Sequence, residues 1–424
     1  REIYGVSRAF SDEFDAVGPK FIRALNYHAA HDIGHALQDL AVVGCTSFAA
    51  WGDRTADNEL LIARNFDFWM GEEFARDKLI TFINPDGGIP HVLVSWGGFM
   101  GATSAMNLEG LTITINASRS SIPMGARLPI SLLARDIVEH AKNMEEAIAI
   151  ARQHEVFVSE SILIGSASDG RAVIIEKAPD GMDVFDPDNG LVVCSNHYQS
   201  NRFASTEVNE ANKRESDSMA RFKRMMQLVD STPGLDPTNA VSILRDRKGQ
   251  DGSDVGLGDP STINQLLAHH AVVMQPEQRR IWVSNAPYQE GAFVCYDLRD
   301  VFARCENGIV RGALKDTAYT IAADPFILTD EFAAHERWQR VRMAITERIL
   351  TGNSFTLDAR EETDFIADNP NSWLTYAALG DLRKAEGNHG SAADLYRKTL
   401  TLPISSLQEE MKIKRKLELC STEK

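Results

Sequence analysis

Near the amino end, apolar residues recur every three or four positions: Phe14, Val17, Phe21 and Leu25, then Ile33, Leu37 and Leu40. That spacing lines one face of a helix, so residues 1–44 are expected to be helical. After residue 44 the pattern changes to short apolar or alternating runs bounded by turn residues, which read as strands. The runs are Cys45–Trp51, Leu60–Phe66, Leu79–Ile83, His91–Trp96, Gly110–Ile115, Ser161–Ser166, Ala172–Lys177, Leu191–Ser195, Ala271–Gln275 and Arg280–Ser284. Helical spacing returns among them at Leu128–Ala141, Met144–Gln153 and Ser216–Leu228. Runs of strands broken by grouped helices predict an α+β sandwich with antiparallel sheets.

Asp324-Pro325 marks a boundary, which divides the chain into residues 1–44, 45–323 and 324–424. Phe326 to Thr351 reads as one long helix. Farther on, Trp373, the run from Tyr376 to Asp381, and Ala392, Ala393, Leu395 and Tyr396 resemble a single tetratricopeptide unit of two antiparallel helices. One such unit cannot bury its own face. It is expected to pack on the main domain or on a second subunit, the latter making a homo-oligomer.

With 424 residues, 43% hydrophobic and 25% charged, the composition is that of an ordinary globular protein. The net charge of −16 argues against nucleic acid and anionic membrane surfaces as partners. No apolar run approaches the roughly 20 residues that span a bilayer. The five cysteines (Cys45, Cys194, Cys295, Cys305 and Cys420) are scattered, without a CxxC pair, which suits free thiols. The first residue is Arg1, not Met. That fits a removed signal peptide or a trimmed chain; export to the periplasm or outside the cell is the expectation, a cytoplasmic location the alternative.

The chemistry concentrates at Cys45. It opens one strand-like run, and the next ends in Arg64-Asn65-Phe66-Asp67-Phe68, so a hairpin would fold a thiol, a guanidinium and a carboxylate together. A lone Cys is more often a small buried hydrophobe, and an Arg and an Asp are more often a surface ion pair. Arg64, Phe66 and Phe68 share one strand face and Asp67 takes the other, so a bulge or strand end is expected near Asn65. If the Gly44–Cys45 bond were cut, Cys45 would carry both the thiol and an α-amine, whose reference pKa of roughly 7.7–8.0 suits a base. Gly44 fits the preceding position because glycine tolerates strained geometry. His28, His31 and His35 fall on one helix face, an arrangement that can bind zinc. No Cys or carboxylate pattern completes a catalytic metal site, so no metal is expected. His197 and His269-His270 raise a papain-like alternative, but papain-like residues do not flank Cys45.

Gly44-Cys45-Thr46-Ser47 and Arg64-Asn65-Phe66-Asp67-Phe68, followed in order by Gly97-Gly98-Phe99, Asn107-Leu108-Glu109-Gly110-Leu111 and Ser195-Asn196-His197-Tyr198, resemble the cysteine N-terminal-nucleophile hydrolases. The branch is that of acyl-CoA:isopenicillin N acyltransferase, the choloylglycine hydrolases and acid ceramidase. The resemblance runs from about Val43 to about Asp297. It implies a four-layer αββα fold and residues 1–44 as a pro-segment or small subunit. It also implies a chain that cuts itself before Cys45 and then cleaves a small N-acyl amide through an acyl-cysteine, without metal or cofactor. By the same resemblance, Asp67 orients the Cys45 amine and Arg64 favours the thiolate. Asn116 and Asn196 hold the oxyanion, with Asn107 an alternative to Asn116. Arg221, in Ser218-Met219-Ala220-Arg221-Phe222-Lys223-Arg224, anchors Asp67 and the amine end of Cys45, with Arg224 as its rival. Trp96, Phe99 and Met100 offer apolar surface for an acyl chain, or an ordinary core strand. An acyl-CoA-using transferase is one alternative function. A non-catalytic binding protein that works through its tail is another.

Overall fold

The computed structural model describes residues 1–37, 44–68, 72–119, 127–306 and 308–422. Two seven-stranded sheets, antiparallel throughout, form its centre. The first runs Leu191–Cys194, Thr46–Ala50, Leu61–Phe66, His270–Gln275, Arg280–Ser284, Phe293–Asp297 and Asp316–Ile321 across its width. The second runs in chain order from Lys78–Ile83 through His91–Trp96, Ser104–Asn107, Leu111–Ala117, Glu160–Ser166 and Arg171–Ala178 to Gly181–Phe185.

Alternation along the strands assigns each face a layer. Ala49, Ile62, Val272 and Met274 of the first sheet meet Val92, Val94, Met106, Leu163 and Ile174 of the second. Their neighbours Phe48, Leu61, Ala63, Ala271 and Val273 point the other way, onto the helices Ser218–Asp230 and Pro237–Leu244 through Met225, Val229, Val241 and Leu244. The far face of the second sheet packs on Ile130–His140 and Met144–Gln153, whose Leu133, Ala134, Ile137 and Ala147 are buried against Ile113, Ile115, Ile162 and Ile164. Helix, sheet, sheet and helix make the four-layer αββα sandwich.

Amino-terminal helices span Glu2–Ser7 and Lys20–Leu37. They lean on the loop after His91–Trp96, where His28 stacks on Phe99 with ring centroids 5.3 Å apart and accepts the Met100 amide at 2.9 Å. His28 also meets the Ala24 carbonyl at 2.7 Å. The side chains of His31 and His35 lie outside those described. Among the described residues no group of side chains is arranged to hold a metal ion, and no helix is long and apolar enough to cross a membrane.

The expected Phe326–Thr351 helix is a short 3-10 turn, Pro325–Leu328, followed by a helix over Asp330–Thr351. Thr329 divides the two by accepting the Phe332 amide, a helix cap backed by Asp330 and Glu331 in the first turn. Helices Ala359–Asp368, Trp373–Ala385, His389–Thr399 and Leu407–Thr422 follow. This tail packs on the sandwich. Asn369 closes two hydrogen bonds with the Leu257 backbone, at 3.2 and 2.9 Å. Ser405 reaches Asp217, and Arg247 lies 3.8 Å over the Phe326 ring.

Candidate active site

Thr46 pairs with Asn65 and Ser47 with Arg64, so the two runs form a hairpin. The second strand stops at Phe66. Asp67 lies just past that end and so escapes the alternation that would have turned it from Arg64. Arg64 occupies the inner face of the first sheet, two residues from Ile62, and reaches across to the second. It donates to the Thr103 carbonyl at 3.1 Å, to Ser104 Oγ at 2.7 Å and to the Ile115 carbonyl. Its Nη2 stands 3.5 Å from Cys45 Sγ, and its guanidinium lies 4.2 Å over the Phe66 ring. Ser104 also meets His270 Nε2 at 2.9 Å, and His270 meets His269 through their Nδ1 atoms at 2.7 Å. The two histidines thus belong to the support of Arg64.

Cys45 is 1% exposed, among Phe66, Phe68, Trp96 and Phe99. Burial pushes its thiol up to about 11, against the pull of Arg64. Arg64 pulls toward the thiolate, and in the uncut chain burial outweighs that pull. Asp67 is also fully buried, and burial raises its carboxyl to about 7 against the charges of Arg221 and Arg64.

That shift has a measurable consequence. Between about pH 4 and pH 7 the folded chain holds a proton on Asp67 that the unfolded chain releases, so this group costs stability increasingly as pH rises, fully above pH 7. Asp67→Asn removes the titration. In a chain kept whole by Cys45→Ala, its denaturation midpoint relative to the Asp67 parent should climb from about pH 4 to pH 7 and then level. A pH-independent difference between the two would contradict the assignment.

Gln265 is a site residue that sequence patterning missed. Its Nε2 donates to the Gly44 carbonyl at 2.8 Å and to Asp67 Oδ2 at 3.1 Å. A side chain at Gly44 would meet that Nε2 at 2.5 Å, so glycine is what lets the amide sit on the carbonyl. Among the described residues, Asp67 Oδ1 is buried without a hydrogen-bond partner.

The two asparagines differ. Asn116 Nδ2 faces the Cys194 carbonyl at 3.0 Å, Ser47 Oγ at 3.3 Å and the Ser195 carbonyl at 3.4 Å, which occupies both of its N–H groups. Asn196 donates one N–H to the Ala117 carbonyl at 2.8 Å and keeps the other. Its Oδ1 accepts from Arg221 Nη2 at 2.7 Å. Arg221 also donates to Thr46 Oγ1 at 3.2 Å and to the Pro260 carbonyl at 2.6 Å. It therefore holds Asn196 and the residue after Cys45 directly, and acts on Asp67 through its charge. Arg224 instead pairs with Asp246 at 2.8 Å. Asn107 braces the turn before Leu111 and caps the Ile130–His140 helix through the Val138 and Ala141 carbonyls. His197 binds Ser218 Oγ at 2.7 Å.

A cavity of about 740 Å³ adjoins the site. Gly44, Asn196, Arg221 and Gln265 line it on the sandwich side. Trp96, Phe99 and Met100 are not among its lining residues. Trp96 and Phe99 close the aromatic cluster around Cys45, stacked on each other at 4.2 Å, and the Met100 backbone is bound to His28 and Arg135.

A sandwich of this layering, with a cysteine at the head of an inner strand beside a buried arginine and aspartate, defines a protein of the N-terminal-nucleophile hydrolase superfamily. More narrowly, the profile of the family described as acyl-coenzyme A:6-aminopenicillanic acid acyl-transferase matches residues 54–286, and the chain belongs to that family. Arg64, Asp67, Asn116, Asn196, Arg221 and Gln265 lie inside the matched span; Cys45 lies just before it and the helical tail beyond it. An uncharacterized protein of Archaeoglobus fulgidus is 28% identical over 234 residues, 49% of this chain and 38% of that protein. The match thus spans well under half of that relative's length. Among solved structures, the chain is similar to an ortholog of N-acylethanolamine-hydrolyzing acid amidase from Caenorhabditis elegans: 16% identity, 55% of this chain, 93% of that one, TM-score 0.40. It is also similar to penicillin V acylase from Agrobacterium tumefaciens: 17% identity, 61% of this chain, 87% of that one, TM-score 0.40.

Proposed function

We propose that the chain is a self-activating cysteine amidohydrolase that cleaves a linear N-acyl amide through an acyl-cysteine. The observation that carries this reading is the arrangement at one peptide bond: Cys45 Sγ beside Arg64, and the Gly44 carbonyl held by Gln265. In the first event Sγ bonds to the Gly44 carbonyl carbon, the bond to the Cys45 nitrogen breaks, and that nitrogen takes the thiol proton. Water then hydrolyses the thioester, leaving a Gly44 carboxylate and a free Cys45 bearing thiol and amine. The new ammonium supplies the cation that the unpartnered Asp67 Oδ1 lacks in the whole chain. It also brings the thiol a second positive neighbour.

In turnover the thiolate attacks the substrate carbonyl. Asn196, aimed by Arg221, and Gln265 donate to the oxyanion. The α-ammonium protonates the leaving amine, and the α-amine then activates the water that resolves the thioester. The test is incubation of the purified chain with a panel of N-acyl amides, read by mass spectrometry for free acid and amine. Absence of cleavage across the panel would overturn the reading. The family's acyltransferase description supports a second one, in which an amine rather than water resolves the thioester. Release of CoA from acyl-CoA donors distinguishes it.

Gln265→Leu should slow self-cleavage about 10- to 100-fold, the worth of one hydrogen bond to a developing charge. A time course of intact mass after synthesis measures it. Cleavage at the parent rate would remove Gln265 from the mechanism.

A further inference from the structure

We propose that the helices after residue 324 form the outer half of the substrate chamber, and that Arg342 and His335 on them bind a carboxylate carried by the N-acyl amide. This rests on the amidohydrolase reading and deepens it. The cavity lined by Asn196 and Gln265 is lined also by His335, Trp338, Arg342 and Met343 of the Asp330–Thr351 helix. That helix lies outside the matched family span, which ends at residue 286.

Two groups there lack partners. His335 is 1% exposed, yet among the described residues neither ring nitrogen has a hydrogen bond. Arg342 makes no hydrogen bond or ion pair through its side chain among the described residues, and its Nε is buried unpaired; the Trp338 ring 5.0 Å away is its aromatic neighbour. Buried polar groups are ordinarily satisfied, and a buried imidazole and a buried guanidinium Nε left without partners in one chamber wall are a demand for a ligand. The other cavity cations are already engaged: Lys412 with Glu409 at 2.8 Å, Arg119 with Glu215 at 3.6 Å, and Arg221 with Asn196.

The chemistry of the ligand follows from the donors. Arg342 offers one planar fork, which matches one carboxylate. Burial and the charge of Arg342 lower His335 to about 4, so the ring is neutral and donates a single N–H. Asp217, Glu347 and Glu409 also line the cavity and would repel a polyphosphate. Trp338, Met343, Leu266 and Leu267 supply apolar wall. The class is an amphiphilic N-acyl amide bearing one carboxylate.

The experiment uses the full self-cleaved chain with N-octanoylglycine, N-octanoyl-6-aminohexanoate and the carboxamide of each. The expected result is a preference for acid over carboxamide in kcat/KM, carried in KM. Arg342→Met should reduce that preference about 10- to 100-fold, and Arg342→Lys should restore part of it. No preference in the parent, or a preference that survives Arg342→Met, overturns the proposal. If the parent cleaves none of the four, the amidohydrolase reading fails separately. Calorimetry of octanoate against octanamide, on the parent and on Arg342→Met, then decides the carboxylate site, and equal affinities in the two proteins sink it.

Discussion

Cys45→Ala should yield one unbroken chain with no amidase activity, a loss on the order of 10⁴-fold or more. The substitution removes one sulfur from a pocket walled by Phe66, Phe68, Trp96 and Phe99. None of these depends on the sulfur for its position: they stack on one another, with Phe66–Trp96 at 6.3 Å and Trp96–Phe99 at 4.2 Å. The fold should therefore survive at a cost of about 1 kcal/mol. Both proposed events fail together, because the same sulfur attacks the Gly44 carbonyl and later the substrate. Cys45→Ser retains a weaker nucleophile and should cut slowly. Intact mass and a denaturing gel read the first event, and product formation reads the second. Alanine protein that processes normally would refute self-cleavage by Cys45. Alanine protein that stays whole beside an equally whole parent would leave the cut unsupported.

The sandwich was legible because its central strands are short apolar runs between turn residues, as in Leu60–Phe66 and His91–Trp96. Of the strands missed, Phe293–Asp297 carried a readable Phe-Val-Cys-Tyr run and was passed over, while the others carry little signal of their own. Ser104–Asn107 reads Ser-Ala-Met-Asn and is a strand because its two neighbours in the sheet demand it. Gly181–Phe185 and Asp316–Ile321 are edge strands with few buried side chains, so the sequence is under little pressure to mark them. The Pro237–Leu244 helix was passed over although Asp236 caps it and Pro237 occupies its first turn, a combination that was readable.

The site divides in the same way. Cys45, Arg64 and Asp67 announce themselves because one hairpin joins them. Gln265 does not, since it lies 221 residues from the carbonyl it binds, within a stretch without periodicity. Arg342 is hidden for a different reason. On an amphipathic helix an arginine ordinarily marks the solvent face, and only the packing of that helix over the sandwich turns it inward.

Asn196→Ala should lower kcat about 10²- to 10³-fold, with a much smaller change in KM, as expected when a donor acts chiefly on the developing oxyanion. Of the two asparagines the sequence proposed, only this one retains an N–H directed to no acceptor among the described residues, and it borders the cavity. Asn116 has spent its amide on the Cys194 and Ser195 carbonyls and Ser47, so Asn116→Ala should act first on stability. Arg221 gives the control, because its Nη2 reaches Asn196 Oδ1 at 2.7 Å and the group can act on chemistry through that amide. If so, Asn196→Ala and Arg221→Met combined should cost far less than the product of their separate losses in kcat. Losses that multiply would separate the two residues. An Asn196→Ala enzyme with unchanged kcat and raised KM would move Asn196 from the oxyanion to ordinary substrate binding.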